Sequence, residues 1–313
     1  MRGPWATLWE RCPEATPFQA PAWILPWARH YAPDRCGAVI AGSKHAPAAI
    51  VPFFTWRGSL LLAGTGPADY ADGLFAPEAR EYAAALLAGI CAAAIERDCM
   101  KIDLQQLRAE SPLLHAPAPE RWASECHEGV ACPVAQLSGE DGLGGVSSRW
   151  RKNLRRARRQ LEAHSASDLA LISSRDAGDT AQVLERLHAL RWEEKGERGV
   201  LVDELMRGFL RSALPELAAS GLLRAHRLAA QGNSIAVVLA FQDRNRAHFY
   251  LSGFDPAWAA WSPGLVTVAA AMTHAAREGV REFHFLRGRE AYKYHLGAQD
   301  RAMWRRVLKR VPE

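Results

Sequence analysis

The sequence predicts an α/β fold built of two similar halves, each a mixed sheet flanked by helices. Two observations carry this expectation. Apolar residues alternate over short stretches and then switch to helical spacing in the same order twice along the chain. Each half also ends in strand, loop, helix and strand, and a helical crossover of that kind implies a locally parallel strand pair.

In the first half a helix is expected around 21–31, then strands near 36–42, 47–55 and 58–63. The loop GTGPADYADGLFAP follows, then a helix at 78–97 and a strand at 100–107. In the second half helices are expected at about 178–195 and 203–219. Strands near 222–230, 234–243 and 246–252 come next, then a helix at 264–278 and a strand at 281–287. Between the halves, SGEDGLGGVSS is rich in glycine, serine and acid and lacks periodicity, as a linker or turn does. The expected units are therefore 1–142 and 143–313.

The length of 313 residues, with 49% hydrophobic and 23% charged residues, describes an ordinary globular chain. The net charge of +5 favours anionic ligands without implying nucleic acid. The longest apolar run, AAALLAGICAAAI at 83–95, is too short to cross a bilayer and is flanked by charges. With no leader pattern at the start, the cytoplasm is the expected compartment, and no membrane span is expected. Six cysteines include no Cys-x-x-Cys pair, and CHEGVAC at 126–132 lacks the spacing of a metal knuckle, so no metal site is expected. Phosphate-loop, nucleophile-elbow and zinc-protease motifs do not occur.

Two stretches stand out. RWRKNLRRARR at 149–159 holds seven basic residues and no acid. Trp150, Leu154, Ala157 and Leu161 recur at helical spacing, so this is an amphipathic helix with a packed stripe. Its arginines either are solvated or form a positive wall toward a phosphate-bearing ligand or acidic partner. The second stretch is WSPGLVTVAAAMTHAAREGVREFHFLRGREAYKYHLGA, at 261–298. Ser262 suits an N-cap and Pro263 the first helical position. Gly264 and Leu265 then expose backbone N–H groups, a common cradle for phosphate. If the flanking strands splay, the gap between them would hold an elongated cofactor.

The Ser-Pro-Gly helix start followed by FHFLRGREAYKYHLGA resembles the GNAT-type acyltransferases that include the CelD-like proteins named from cellulose biosynthesis, distant relatives of the Fem peptidyltransferases. TPFQAPAWILPWARHY, GTGPADYADGLF and WRKNLRRARRQLE resemble that family too, so the likeness touches both halves. It implies two tandem GNAT-like units, with acetyl-CoA or another acyl-CoA bound by the second and a small amine or hydroxyl acceptor shaped by the first. Ser262, Pro263 and Gly264 match the family's cofactor turn. Arg287, Gly288, Glu290, Tyr292 and Lys293 match its arginine–glycine…glutamate…tyrosine–lysine motif. His284 stands where an aspartate is usual, and Arg289 where an acid is common.

Such chemistry needs a base for the acceptor, donors for an oxyanion and a proton for the leaving thiolate. Tyr292 is the candidate acid. His284, Glu290 and Asp255 are rival bases, Asp255 serving alternatively in substrate binding. Arg287 and Lys293 are candidates for holding phosphate, or for a plain salt bridge with Glu290. Asp69, Tyr70 and Asp72, in a glycine-bounded loop, either contact a cationic acceptor or make turn hydrogen bonds. Two other readings stand beside the enzyme: a Fem-type transferase taking charged tRNA, which the basic helix favours, and a degenerate, non-catalytic binding protein. Outside the tRNA reading no nucleic acid partner is expected, and no feature specifies an oligomeric state.

Overall fold

A computed structural model describes residues 2–165, 169–175, 177–194 and 196–311. The chain forms two compact units. One comprises Met1–Ala131 with Ala302–Glu313, the other Cys132–Arg301.

Unit 1 opens with helices α1 (Arg2–Arg11) and α2 (Pro21–Tyr31), which bury Trp5, Trp23 and Trp27. The strands β1 (Cys36–Gly42), β2 (Pro47–Trp56) and β3 (Ser59–Leu62) form the expected antiparallel meander. A two-residue strand, β4 (Leu74–Phe75), returns to β2. Helix α3 (Ala83–Glu96) then crosses over to β5 (Lys101–Arg108), which pairs parallel with β3 from Ser59↔Lys101 to Leu61↔Asp103. The helix begins later than expected because Pro77–Tyr82 winds as a 3-10 turn. The short α4 (Pro112–His115) and β6 (Trp122–Glu128) follow.

Unit 2 starts with β7 (Cys132–Gln136). The basic helix α5 (Ser148–His164) is capped by the Ser147 hydroxyl, which accepts from Trp150 N–H at 3.4 Å, and it buries Leu154 and Leu161. Next come β8 (Ala170–Ser174), α6 (Thr180–Glu194) and α7 (Glu204–Ala219), the last capped by the Asp203 carboxylate on Leu205 N–H. The meander β9 (Leu223–Ala230), β10 (Asn233–Asp243) and β11 (Arg246–Phe254) leads to α8 (Pro263–Arg277) and β12 (Glu282–His284). A short α9 (Ala291–His295) and β13 (Ala298–Arg301) complete the unit. Its sheet runs β13-β7-β12-β11-β10-β9-β8. Phe249, Phe283, Phe285, Val268 and Met272 fill the core between sheet and helix α8.

The last strand, β14 (Met303–Arg310), belongs to unit 1. It inserts antiparallel between β5 and β6, giving the order β1-β2-β3-β5-β14-β6. The units thus divide at 131/132 and 301/302, and 142/143 lies inside unit 2. The glycine-rich stretch at 138–145 falls within unit 2, since Cys132–Gln136 pairs with β12 and β13. Both halves keep the expected crossover and its parallel pair. Among the described residues, no helix is long and apolar enough to span a membrane.

Candidate active site

The decisive feature is where the parallel pair of unit 2 stops. β11 and β12 are in register only over Arg246↔Glu282, Ala247↔Phe283 and His248↔His284. Beyond that point β11 continues to Phe254 against β10, while the other chain leaves: Phe285 N–H donates to the Pro133 carbonyl at 2.8 Å, and Leu286 takes a positive φ of 58°. Strand β12 therefore ends at His284 rather than at 287 as the alternation predicts. A register shift opposite Leu239/Ala240 adds one residue, Tyr250, to β11, and a bulge of this kind bends the strand that carries it. The two strands splay.

Helix α8 starts at the end of β11. Ser262 occupies the cap position in the left-handed conformation, φ 54°, and its hydroxyl makes no cap hydrogen bond, so it redirects the backbone instead of capping as expected. The first intrahelical bond runs from Val266 N–H to the Ser262 carbonyl at 3.1 Å. Pro263 has no N–H, and the amides of Gly264 and Leu265 have no acceptor among the described residues. A Cβ on Gly264 would lie 3.2 Å from the Phe254 ring, which places the exposed turn of α8 against the last residue of β11. Unpaired amides at a helix start attract an anion.

The Arg287–Lys293 segment is a turn stapled from within. Lys293, only 2% exposed, donates through Nζ to the carbonyls of Arg287 at 2.9 Å and Gly288 at 3.1 Å and pairs with Glu290 Oε2 at 2.9 Å. Gly288 has φ 109°, a conformation that favours glycine, and a Cβ there would lie 2.5 Å from the Glu290 carboxylate. Lys293 is therefore spent on the backbone and on Glu290, the salt bridge being the second of the two roles expected for it. Arg287 is half-buried in the same turn, and Arg289 pairs with Asp300 at 3.0 Å. The turn fixes Tyr292, whose ring packs against Phe285 with centroids 6.3 Å apart. Burial, with the Glu290 charge adding to it, pushes the Tyr292 phenol well above its ordinary range, so it holds its proton.

The three expected bases are otherwise engaged. His284 is buried, with Nε2 3.0 Å from Glu282 Oε2 and its ring against His248. Burial outweighs the carboxylate and pushes its pKa down to about 3, which corrects its expected role as a base working near neutrality. Glu290 clamps Lys293, and Asp255 caps the turn at Pro256–Trp261 by accepting from Ala257 N–H at 3.0 Å.

One residue at the splay was not foreseen. Arg191 of α6 donates to the Ser252 hydroxyl at 3.2 Å, sits 5.3 Å over the Phe254 ring, and has a buried Nε without a hydrogen-bond partner. Its charge also reaches Tyr292, where it opposes the upward shift. Helix α6 lies so close to β11 that a Cβ on Gly253 would be 2.5 Å from the His188 backbone nitrogen. The signal was in the spacing. Leu184 and Leu187 are buried on α6, and Arg191 continues that stripe where an apolar residue would serve packing alone.

Residues 148–294 match the family model of the acetyltransferase (GNAT) domain. That span contains the splay, the α8 turn and Tyr292 together. Among solved structures, the chain is similar to FemX, at 10% identity with TM-score 0.72, covering 98% of this chain and 95% of that one. It is similar also to L-PGS from Bacillus licheniformis (11% identity, TM-score 0.58, covering 88% and 85%). A tandem GNAT protein from the clavulanic acid biosynthesis pathway aligns over all of this chain and 95% of its own, at 13% identity and TM-score 0.52. These likenesses establish the tandem GNAT-like α/β fold. No curated protein matches the sequence.

In unit 1 the corresponding position is closed. The expected acceptor residues Asp69, Tyr70 and Asp72 are all buried, Tyr70 to 1% exposure. Ala71 N–H donates to the Gln106 carbonyl of β5 at 3.1 Å, so the loop itself lies where β3 has ended. Tyr70 packs edge-on to Phe18 and its carbonyl accepts from Gln19, while Asp72 accepts from Ser111 and Gly73 N–H. Of the three, Asp72 makes a local turn hydrogen bond of the kind the second reading expects. Among the described residues no cluster of metal-ligating side chains occurs, and Cys126 and Cys132 lie on separate strands of separate units.

Proposed function

We propose that this chain is an acyl-CoA-dependent acyltransferase, by default an N-acetyltransferase, whose donor site lies in unit 2. One observation carries the reading: the β11–β12 ladder ends at His248/His284 beside a helix start with unpaired amides at Gly264 and Leu265. The residues fit the group, because a pyrophosphate needs N–H donors and an elongated arm needs a gap between strands. Acyl-CoA supplies a thioester already activated for attack.

The chain's own contributions follow. Gly264 and Leu265 N–H groups hold anionic oxygens. Backbone on the edge of β11 released beyond His248 provides donors for a developing oxyanion. Tyr292 keeps its proton at neutral pH and donates a hydrogen bond to the departing sulfur. Arg191 adds positive charge at the same end of the splay. With His284, Glu290 and Asp255 engaged, an amine acceptor loses its proton to water, or arrives neutral. The acceptor is a small amine or hydroxyl compound, and the CelD-like resemblance favours one from polysaccharide or envelope metabolism.

A second reading, transfer from charged tRNA, is favoured by α5. Among the described residues Arg149, Arg151, Lys152, Arg155, Arg156 and Arg159 have no acidic partner, and only Arg158 pairs, with Glu162. Calorimetry with acetyl-CoA separates the two. Micromolar binding by the wild type, weakened at least tenfold in Gly264→Glu, supports the acyl-CoA donor. No binding by the folded wild type removes it and moves charged tRNA forward, tested by a steep loss of tRNA affinity with salt.

A further inference from the structure

A second cavity in unit 2, of about 460 Å³, opens between α6, residues 199–204 and α7. It is lined by a stripe of α6 different from the one that carries Leu187 and Arg191 toward β11. Four carboxylates and two guanidinium groups line it. Glu185 is neutralised by Arg211 at 2.7 Å, and Glu204 by Arg207. Glu193 and Glu197 have no cationic partner among the described residues, and the described lining holds four carboxylates against two guanidinium groups.

A second, independent observation lies in the same wall. His188 is 3% exposed, yet it has no hydrogen-bond partner among the described residues and its ring lines the cavity. Burial pushes its pKa down to about 4, so at neutral pH the imidazole keeps an acceptor lone pair. Its ring nitrogens are not sealed from solvent, so in the cavity a ligand N–H can take the place of water on the free lone pair. The Trp192 indole, 5.7 Å from the His188 ring, adds an aromatic face to the same cavity. Carboxylates, an aromatic face and a neutral acceptor together select a cation that carries N–H groups. Among the described residues no three metal-ligating groups converge, which argues for an organic cation over a metal ion.

We propose that this cavity binds a small organic ammonium ion, with an N–H donated to His188 and the charge shared by Glu193, Glu197 and Trp192. The proposal does not rest on the acyl-CoA reading, because no residue of the splay takes part.

Calorimetry on the full chain without CoA tests it, using n-butylammonium as the probe. Tetramethylammonium has the charge but no N–H, and n-butanol has the chain but no charge. The expected result is saturable millimolar binding of n-butylammonium, severalfold weaker binding of tetramethylammonium, and none of n-butanol. Glu193 and Glu197 are exposed, so the double variant Glu193→Gln/Glu197→Gln should melt like the wild type and bind at least tenfold more weakly. Absence of n-butylammonium binding overturns the proposal. So does equal affinity for n-butanol or tetramethylammonium, or an affinity unchanged in the double variant. His188→Phe is secondary, since that variant risks misfolding.

Discussion

The two units share one plan, a meander followed by strand, loop, crossover helix and parallel strand, but they treat the end of the parallel pair in opposite ways. In unit 1 the loop after β3 turns back and its Ala71 amide bonds to β5, with Tyr70 packed beneath. In unit 2 the chain after β11 moves away through a short 3-10 turn, and the crossover helix begins with bare amides. On the proposed function, a fold of this kind becomes a binding site by omission. Whether the gap is plugged is decided by a loop of about a dozen residues, not by the sheet.

The largest effects should come from the residues that hold each arrangement. Tyr70→Ala should cost about 3–5 kcal/mol, the range for removing a large buried ring. Lys293→Met should cost about 2–4 kcal/mol by leaving the Arg287 and Gly288 carbonyls and Glu290 short of a donor. Urea denaturation gives both figures. The contrast lies in binding: acetyl-CoA affinity should survive Tyr70→Ala and fall in Lys293→Met, because only the second loosens the turn holding Tyr292. Equal losses in both variants would end the claim that unit 1 is closed.

The pH dependence should also differ between units. His188, His226 and His284 in unit 2 are buried, with pKa values pushed down by burial to about 4, 4 and 3. Their folded values lie below 6.5, so the unfolded chain takes up these protons first. The stability they contribute is complete above about pH 6.5 and is lost as the pH falls toward 4, each at a slope of up to about 1.4 kcal/mol per unit. In unit 1, burial raises Asp72 to about 6, and its contribution is complete below about pH 3.8 and lost as the pH rises through 6. Hydrogen exchange between pH 7 and 4 should show unit 2 losing protection first. Simultaneous loss would mean the buried histidines do not govern acid stability.

The smallest expected effect is a control. Tyr82→Glu places a new charge just before α3, at an exposed position. Acetyl-CoA binding should be unchanged, in contrast to Gly264→Glu in the first turn of α8. A comparable loss would mean that unit 1 also offers a donor site.

Much of this organisation was legible in the sequence. Helix 21–31 falls where periodicity places it, because its apolar residues are buried on one core, and strand 36–42 does so as a half-buried strand paired with β2. The strands at 122–128, 132–136 and 303–310 were missed. Trp122–Glu128 is almost wholly exposed and polar, and Met303–Arg310 carries four basic residues, so neither shows an apolar alternation to read. The Ser-Pro-Gly turn was visible as a helix start, but its left-handed Ser262 was not, since serine is ordinarily chosen there for its hydroxyl. His284 and Lys293 looked like chemistry because charge and titration are what sequence shows. The backbone carbonyls that occupy Lys293, and the burial that keeps His284 neutral, depend on chain geometry that no residue name announces.

The position of β14 has a consequence for the order in which the protein is made. Strands β5 and β6 both lack their shared neighbour until residues 303–310 have been synthesised. Unit 2 is one continuous segment and is complete by Arg301, whereas unit 1, begun first, must wait with two open sheet edges for the final strand. A chain cut after Arg301 therefore keeps every residue of unit 2 and leaves β5 and β6 of unit 1 open to edge-to-edge pairing with other chains.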